Sequence, residues 1–219
     1  MAERHPKTGM KLGAIAGLAL AAGLVAGAAG IYVMESGSGN QVASCPADDS
    51  LREALDQAAQ GEVAAVQPLA EPFDVSALTF KDDAGQDMKL DGYSGQSLLV
   101  NIWATWCVPC REEMPALDQL QREEGGGDFA VVPINVDLGA SDKPRAFYDE
   151  IGLEALPLLT DSTMGIFNDL KGRGLAFGLP VSLLVDENGC ARASINGPAD
   201  WASADAVKLI DALRGKNAA

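Results

Sequence analysis

Residues 97–137 constrain the fold more than any other stretch of this chain. Ser97 to Ala104 is an almost continuous apolar run, as expected of a strand buried on both faces. Pro109 to about Glu124 has helical composition and stops at Gly125-Gly126-Gly127, and Phe129 to Asp137 reads as a second buried strand. Short connections make this a β–α–β unit, which implies a right-handed crossover and a parallel strand pair. Trp106-Cys107-Val108-Pro109-Cys110 occupies the first strand-to-helix junction. Two cysteines separated by two residues can close a small disulfide. A sulfur placed at a helix start lies over unpaired backbone N–H groups, which favour its thiolate. The thiolate is the attacking species in thiol–disulfide exchange, and the second cysteine can release the mixed disulfide from within the same molecule.

Other uses of the pair fit less well. A zinc site needs about four ligands, whereas the chain has Cys45, Cys107, Cys110 and Cys190, and its one histidine, His5, lies in the N-terminal tail. Covalent haem attachment wants histidine directly after the second cysteine, and position 111 is arginine. A purely structural role returns little, because so short a loop barely constrains the unfolded chain.

The N-terminus bears on where this chemistry takes place. Leu12 to Met34 contains no charged side chain and is rich in Ala, Gly and Leu, long enough to span a bilayer as one helix. Residues 1–11, with Arg4, Lys7 and Lys11 against Glu3, form a basic tail that the positive-inside rule leaves in the cytoplasm. A cleaved signal peptide is the competing reading, since Ala26-Gly27-Ala28 resembles a small-residue cleavage site, but the length of the apolar run favours retention. Residues 35–46 have linker composition, with Ser36-Gly37-Ser38-Gly39-Asn40 at their centre. Val42-Ala43-Ser44-Cys45 looks like a lipoprotein processing box, yet it is separated from the apolar run by Glu35 and a polar stretch. The expected arrangement is a single-pass inner-membrane protein whose soluble domain, residues 47–219, lies in the periplasm.

The whole chain carries a formal net charge of −15. Without Glu3, Arg4, Lys7, Lys11 and Glu35 it has 13 basic and 29 acidic residues and is more acidic still. Nucleic-acid binding wants the opposite sign. The charge suits solubility and could steer a basic partner.

Around the β–α–β unit further elements are legible. Asp48 to Gln60 predicts a short helix ahead of the core, and Leu78-Thr79-Phe80 with Met88-Lys89-Leu90 predicts a hairpin about Asp82-Asp83-Ala84-Gly85. Lys143 to Ile151 and Ser162 to Leu170 look helical, with Leu156 to Leu159 extended between them. Pro180 introduces the strand Val181 to Val185, Asp186-Glu187-Asn188-Gly189 turns the chain, and Cys190 to Ile195 returns antiparallel. A helix over about 203–214 ends the chain.

This order is that of the thioredoxin fold, an α/β architecture with a central mixed sheet flanked by helices, here with an N-terminal helical and hairpin extension and one transmembrane helix. The segment from Trp106 to Pro115 resembles the active-site segment of the TlpA/ResA/CcmG branch of the thioredoxin superfamily, whose TlpA-type members are membrane-anchored periplasmic proteins. Gly178-Leu179-Pro180 through Asp186 resembles its cis-proline strand, and Gly197-Pro198-Ala199-Asp200-Trp201 resembles its loop before the last helix. The resemblance covers about residues 70–215.

It implies a thiol:disulfide oxidoreductase that reduces protein disulfides with no cofactor beyond the dithiol. Cys107 is then the nucleophile, expected near solvent, and Cys110 the shielded resolving thiol. Pro180 follows a cis bond, and Trp106, Val108, Pro109 and Leu179 meet the client, with Leu179 offering its backbone to an added strand. Glu113, one helical turn after Cys110, either tunes thiol protonation or is an ordinary first-turn acid like Glu112. Pro115 should kink the helix. Cys45 and Cys190 are expected to pair as a structural disulfide, worth on the order of 4 kcal/mol in the chain-entropy model, with a second redox centre as the competing reading.

The implied clients are a Sco-like copper chaperone or oxidase subunit II in cytochrome oxidase assembly, or apocytochrome c in cytochrome c maturation. Electrons would come from a membrane thiol donor of the DsbD or CcdA kind. Copper delivery is a different reading, but copper chaperones resembling Sco carry Cys-x3-Cys and a histidine, which this chain lacks after His5. A non-catalytic scaffold is the third.

Overall fold

The computed structural model describes residues 45–139 and 142–216. The expected tail 1–11, the membrane span 12–34 and all but the last two residues of the linker 35–46 lie outside the described residues. Among the described residues no helix is long and apolar enough to cross a membrane.

In chain order the elements are α1 (Asp49–Ala58), β1 (Gln67–Asp74), β2 (Thr79–Lys81), β3 (Asp87–Lys89), β4 (Ser97–Trp103), α2 (Val108–Glu124), β5 (Phe129–Asn135) and α3 (Lys143–Ile151). They continue with β6 (Leu159–Thr160), α4 (Gly165–Gly172), β7 (Val181–Val185), β8 (Cys190–Asn196) and α5 (Ala204–Leu213). One eight-stranded mixed sheet runs β1-β8-β7-β4-β5-β6-β2-β3. β4 lies parallel to β5 from Ser97↔Phe129 to Trp103↔Asn135 and antiparallel to β7 from Leu98↔Val185 to Ile102↔Val181. All seven residues of β4 are buried, which accounts for the absence of alternation in its sequence.

The register fixes what shares an end of the sheet. β4 and β5 run together and finish at Trp103 and Asn135, while β7 starts beside Ile102. The segments after Trp103, after Asn135 and before Val181 therefore meet at one end. The turn between β7 and β8, with Cys190, is at the other.

Three expectations shift. Gln67–Asp74, to which the sequence reading assigns no element, forms an edge strand although Pro68 and Pro72 cannot donate to a ladder, and it pairs with β8 through a bulge between Pro68 and Phe73. The hairpin is no appendage, since β2 joins the sheet at Lys81↔Thr160. The helix expected from Ser162 begins only at Gly165. Asp161 accepts hydrogen bonds from the Thr163 and Ile166 N–H groups and so fills the start with a capped turn.

The extended piece expected from Leu156 pairs only at Leu159–Thr160, and Asp118 explains why. This α2 side chain, 3% exposed, accepts at Oδ1 from the backbone N–H groups of Glu154 (3.1 Å), Ala155 (2.7 Å) and Leu156 (3.2 Å), and at Oδ2 from Arg122. The chain wraps around a carboxylate before it can enter the sheet. Asp118→Ala strands three donors, so we expect a loss of about 3 kcal/mol in urea unfolding; Asp118→Asn, which keeps an acceptor, should lose less.

Candidate functional site

α2 begins at Val108 with Cys107 as its N-cap residue, and Cys107 Sγ accepts from the Cys110 N–H at 3.3 Å. Pro109 fits the first turn, where its missing N–H has no intrahelical partner to lose. The helix then continues through Pro115 to Glu124. Cys107 and Cys110 are joined as a disulfide, with Cα atoms 5.3 Å apart. Cys110 is fully buried. Cys107, expected near solvent, is only 5% exposed in this disulfide form, because the N-cap position draws its sulfur onto the helix end. The neighbours Trp106 and Val108 are 64% and 62% exposed, so the approach to Cys107 is lined by apolar side chains.

The loop that carries the dithiol is held from β5. Asp137, two residues past that strand, accepts from Thr105 N–H (3.0 Å) and Thr105 Oγ1 (2.5 Å). On the other side stands Pro180, buried and preceded by a cis peptide bond. Its carbonyl accepts from Gly197 N–H at 2.9 Å. Leu179 is half-buried, and among the described residues no main-chain partner pairs with the backbone of Gly178 or Leu179.

Glu113 faces inward, 4% exposed, whereas Glu112 beside it is exposed; the helix starts at Val108, so neither acid stands in its first turn. Oε1 of Glu113 accepts from Asn101 Nδ2 at 2.8 Å; Oε2 accepts from Ala199 N–H at 3.2 Å and from the Trp201 indole at 3.3 Å. Asn101 Nδ2 also donates to Ser182 Oγ at 2.9 Å, across the β4–β7 pair. Burial pushes the Glu113 carboxyl up to about 7, and the three donors oppose that rise without cancelling it.

Asn101, Thr105, Asp137, Ser182 and the donors of Ala199 and Trp201 were not singled out as site residues from the sequence. A signal existed for two of them. Asn101 and Ser182 interrupt strands that are otherwise apolar, and a polar side chain buried in a strand has to find a partner.

Cys45 and Cys190 form a second disulfide, with Cα atoms 5.6 Å apart, at the end of the sheet opposite the dithiol. Arg192 Nη1 donates to the Pro46 carbonyl at 2.7 Å, and its Nε donates to Asp186 at 2.6 Å, which fixes the chain on both sides of the bridge. Neither cysteine stands at a helix start. Among the described residues no cluster of three or more His, Cys, Asp or Glu side chains is placed to hold a metal ion.

The raised Glu113 pKa has a consequence for stability. A carboxyl near 7 in the folded protein and near 4.5 unfolded leaves the folded state binding more protons between those values. Its contribution is fully present below pH 4.5 and is lost as pH rises through 7. We expect the stability of the oxidised protein relative to Glu113→Gln to fall by about 3 kcal/mol between pH 4.5 and 8, read from urea unfolding at each pH.

The Redoxin family profile matches residues 69–210. The thioredoxin-like protein YneN of Bacillus subtilis is 37% identical over 113 residues, 51% of this chain and 62% of that protein. The thiol-disulfide oxidoreductase ResA of Geobacillus thermodenitrificans is 29% identical over 119 residues, 53% of this chain and 63% of that protein. The chain thus covers about three-fifths of the length of these curated relatives. A thioredoxin-family thiol:disulfide interchange protein from Chlorobium tepidum shares the fold at TM-score 0.55 and 24% identity, over 67% of this chain and 99% of the other. A DsbF homologue from Corynebacterium diphtheriae does so at TM-score 0.55 and 21% identity, over 68% and 93%. The chain belongs to the Redoxin family, in the TlpA/ResA/CcmG branch of thioredoxin-fold proteins.

Proposed function

We propose that this protein is a thiol:disulfide oxidoreductase that reduces selected protein disulfides, held by residues 12–34 in the inner membrane with its soluble domain in the periplasm. The observation that carries the reading is the closed Cys107–Cys110 pair, with one sulfur capping a helix and the other buried behind it. In the reduced protein the Cys107 thiolate attacks one sulfur of a client disulfide. A mixed disulfide forms, and the client's other sulfur leaves as thiolate and takes a proton. Cys110, deprotonated, then attacks Cys107 Sγ, which restores the intramolecular disulfide and frees the second client thiol. The client gains two electrons and two protons, and the protein becomes the disulfide. A membrane dithiol donor of the DsbD or CcdA kind returns it to the dithiol.

Glu113 is placed to take and return a proton in the resolving step, being one helical turn from Cys110 and titrating near neutrality. The unpaired backbone at Gly178 and Leu179 offers the client an added strand. A strong oxidant stabilises its reduced form as a thiolate, helped in oxidants of the DsbA type by a histidine between the cysteines, which Val108-Pro109 lacks. We assign the reductive direction on this ground, in keeping with the resemblance to the TlpA branch. The clients are the cysteine pairs of Sco-like copper chaperones or oxidase subunit II in cytochrome oxidase biogenesis, with apocytochrome c in cytochrome c maturation as the alternative.

Cys110→Ser removes the resolving thiol, so the variant should accumulate a mixed disulfide with a disulfide-bonded protein client on non-reducing gels, while Cys107→Ser accumulates none. Equal trapping by both variants, or trapping by neither, would overturn the assignment. A reduction potential as oxidising as that of a disulfide-forming enzyme, about −120 mV, would reverse the direction.

A further inference from the structure

Apolar side chains left in water are concentrated at one place. Trp106 (64% exposed), Val108 (62%), Leu138 (71%) and Phe177 (81%) all belong to the segments that meet at the dithiol end of the sheet. Leu138 follows β5 on one side of the active-site loop, and Phe177 precedes β7 on the other. Phe177 is the one exposed phenylalanine of the six; the others are buried or half-buried. Its exposure is not fraying. Asn196 at the end of β8 accepts from Phe177 N–H at 2.9 Å and donates to the Leu175 carbonyl at 2.9 Å, while Ala176 between them is 1% exposed. The loop is clamped on both sides of a phenylalanine that it holds out to solvent.

We propose that Phe177 and Leu138, with Trp106 and Val108, form an apolar collar that selects the client. The occupant is a polypeptide segment whose disulfide is flanked by apolar residues and which carries net positive charge, rather than a small anionic disulfide such as oxidised glutathione. This rests on the proposed reductase function and names its substrate class. Three features of the molecule select that occupant. Trp106 and Val108 adjoin Cys107 in the chain, while Leu138 follows β5 and Phe177 precedes β7, the strands on either side of β4, so the four belong to segments that flank the reacting pair. Around the dithiol exposed Glu112 and Asp142 are matched by their neighbours Arg111 and Lys143, and Asp200 lies in the loop after β8, so the choice of charge comes from the whole chain, whose net charge of −15 repels an anionic disulfide and attracts a cationic one.

The test uses reduced protein and three synthetic disulfide-loop peptides. One has Leu and Phe flanking the cysteines and net charge +3, one has the same flanks and charge −3, and one has Ser flanks and charge +3. Oxidised glutathione is the small substrate. Wild type should reduce the apolar cationic peptide with a kcat/KM at least tenfold above each of the others. Phe177→Ser and Leu138→Ser should each narrow the apolar-over-serine ratio about fivefold or more while the reduction potential stays at the wild-type value. Ile151→Ser, an exposed apolar position at the far end of α3, should leave the ratio unchanged. Wild type that reduces the peptides equally, or a ratio unmoved in both collar variants, overturns the collar. Wild type that reduces none of the four overturns the reductase reading itself.

Discussion

A carboxylate taken almost wholly out of water has to find donors, and Glu113 finds its donors on separate parts of the chain: Asn101 on β4, and Ala199 and Trp201 in the loop before α5. Asn101 in turn reaches Ser182 on β7. One side chain of the dithiol helix therefore ties together the strand that leads into the active-site loop, the strand that follows Pro180 and the loop whose Gly197 holds the Pro180 carbonyl. The relative placement of sulfur and proline loop depends on this contact. Its burial is also what lifts the carboxyl toward neutrality, against the three donors that hold it in place.

The sheet separates chemistry from anchorage. At the end reached by β4, β5 and the start of β7 stand the dithiol, the proline loop and the exposed apolar side chains. At the opposite end the β7–β8 turn gathers Cys190, Asp186 and Arg192. The Asp186–Arg192 pair is 8% exposed at each side chain and is satisfied further by Cys190 N–H and the Pro46 carbonyl. Completing the hydrogen bonds of both ions is what makes a buried pair tolerable. Arg192 draws the segment just after Cys45 onto β8, so the covalent bridge and the ion pair secure the same short stretch of chain.

Much of the fold was legible because its central elements are extreme cases. β4 and β5 are buried on both faces and read as continuous apolar runs, and the Lys143–Ile151 helix shows its helical character in the sequence. The dithiol was legible because Cys-x-x-Cys at a helix start has few other uses. What escaped was tertiary. β1 contains two prolines and only its neighbour β8 makes it a strand. Asp118 looks like a solvent-facing helix residue until the loop 154–156 is seen folded onto it. Phe177 looks like any core phenylalanine, since a sequence records hydrophobicity and not exposure.

The two disulfides show how one bond serves opposite ends. Cys45 and Cys190 are 145 residues apart, and closing so long a loop restricts the unfolded chain by about 4–5 kcal/mol in the chain-entropy model. Reducing that bond gives up this stabilisation, and Cys190, in a strand with its N–H given to Asp186, has no helix end to stabilise a thiolate. Cys107 and Cys110 are three residues apart, so closing their loop restricts the unfolded chain far less. Cys107 stands where the N–H groups of a helix start favour a thiolate, with the buried Cys110 one turn further into the helix. Loop length suits one bond to a permanent tie, and position on the helix suits the other to thiol–disulfide exchange.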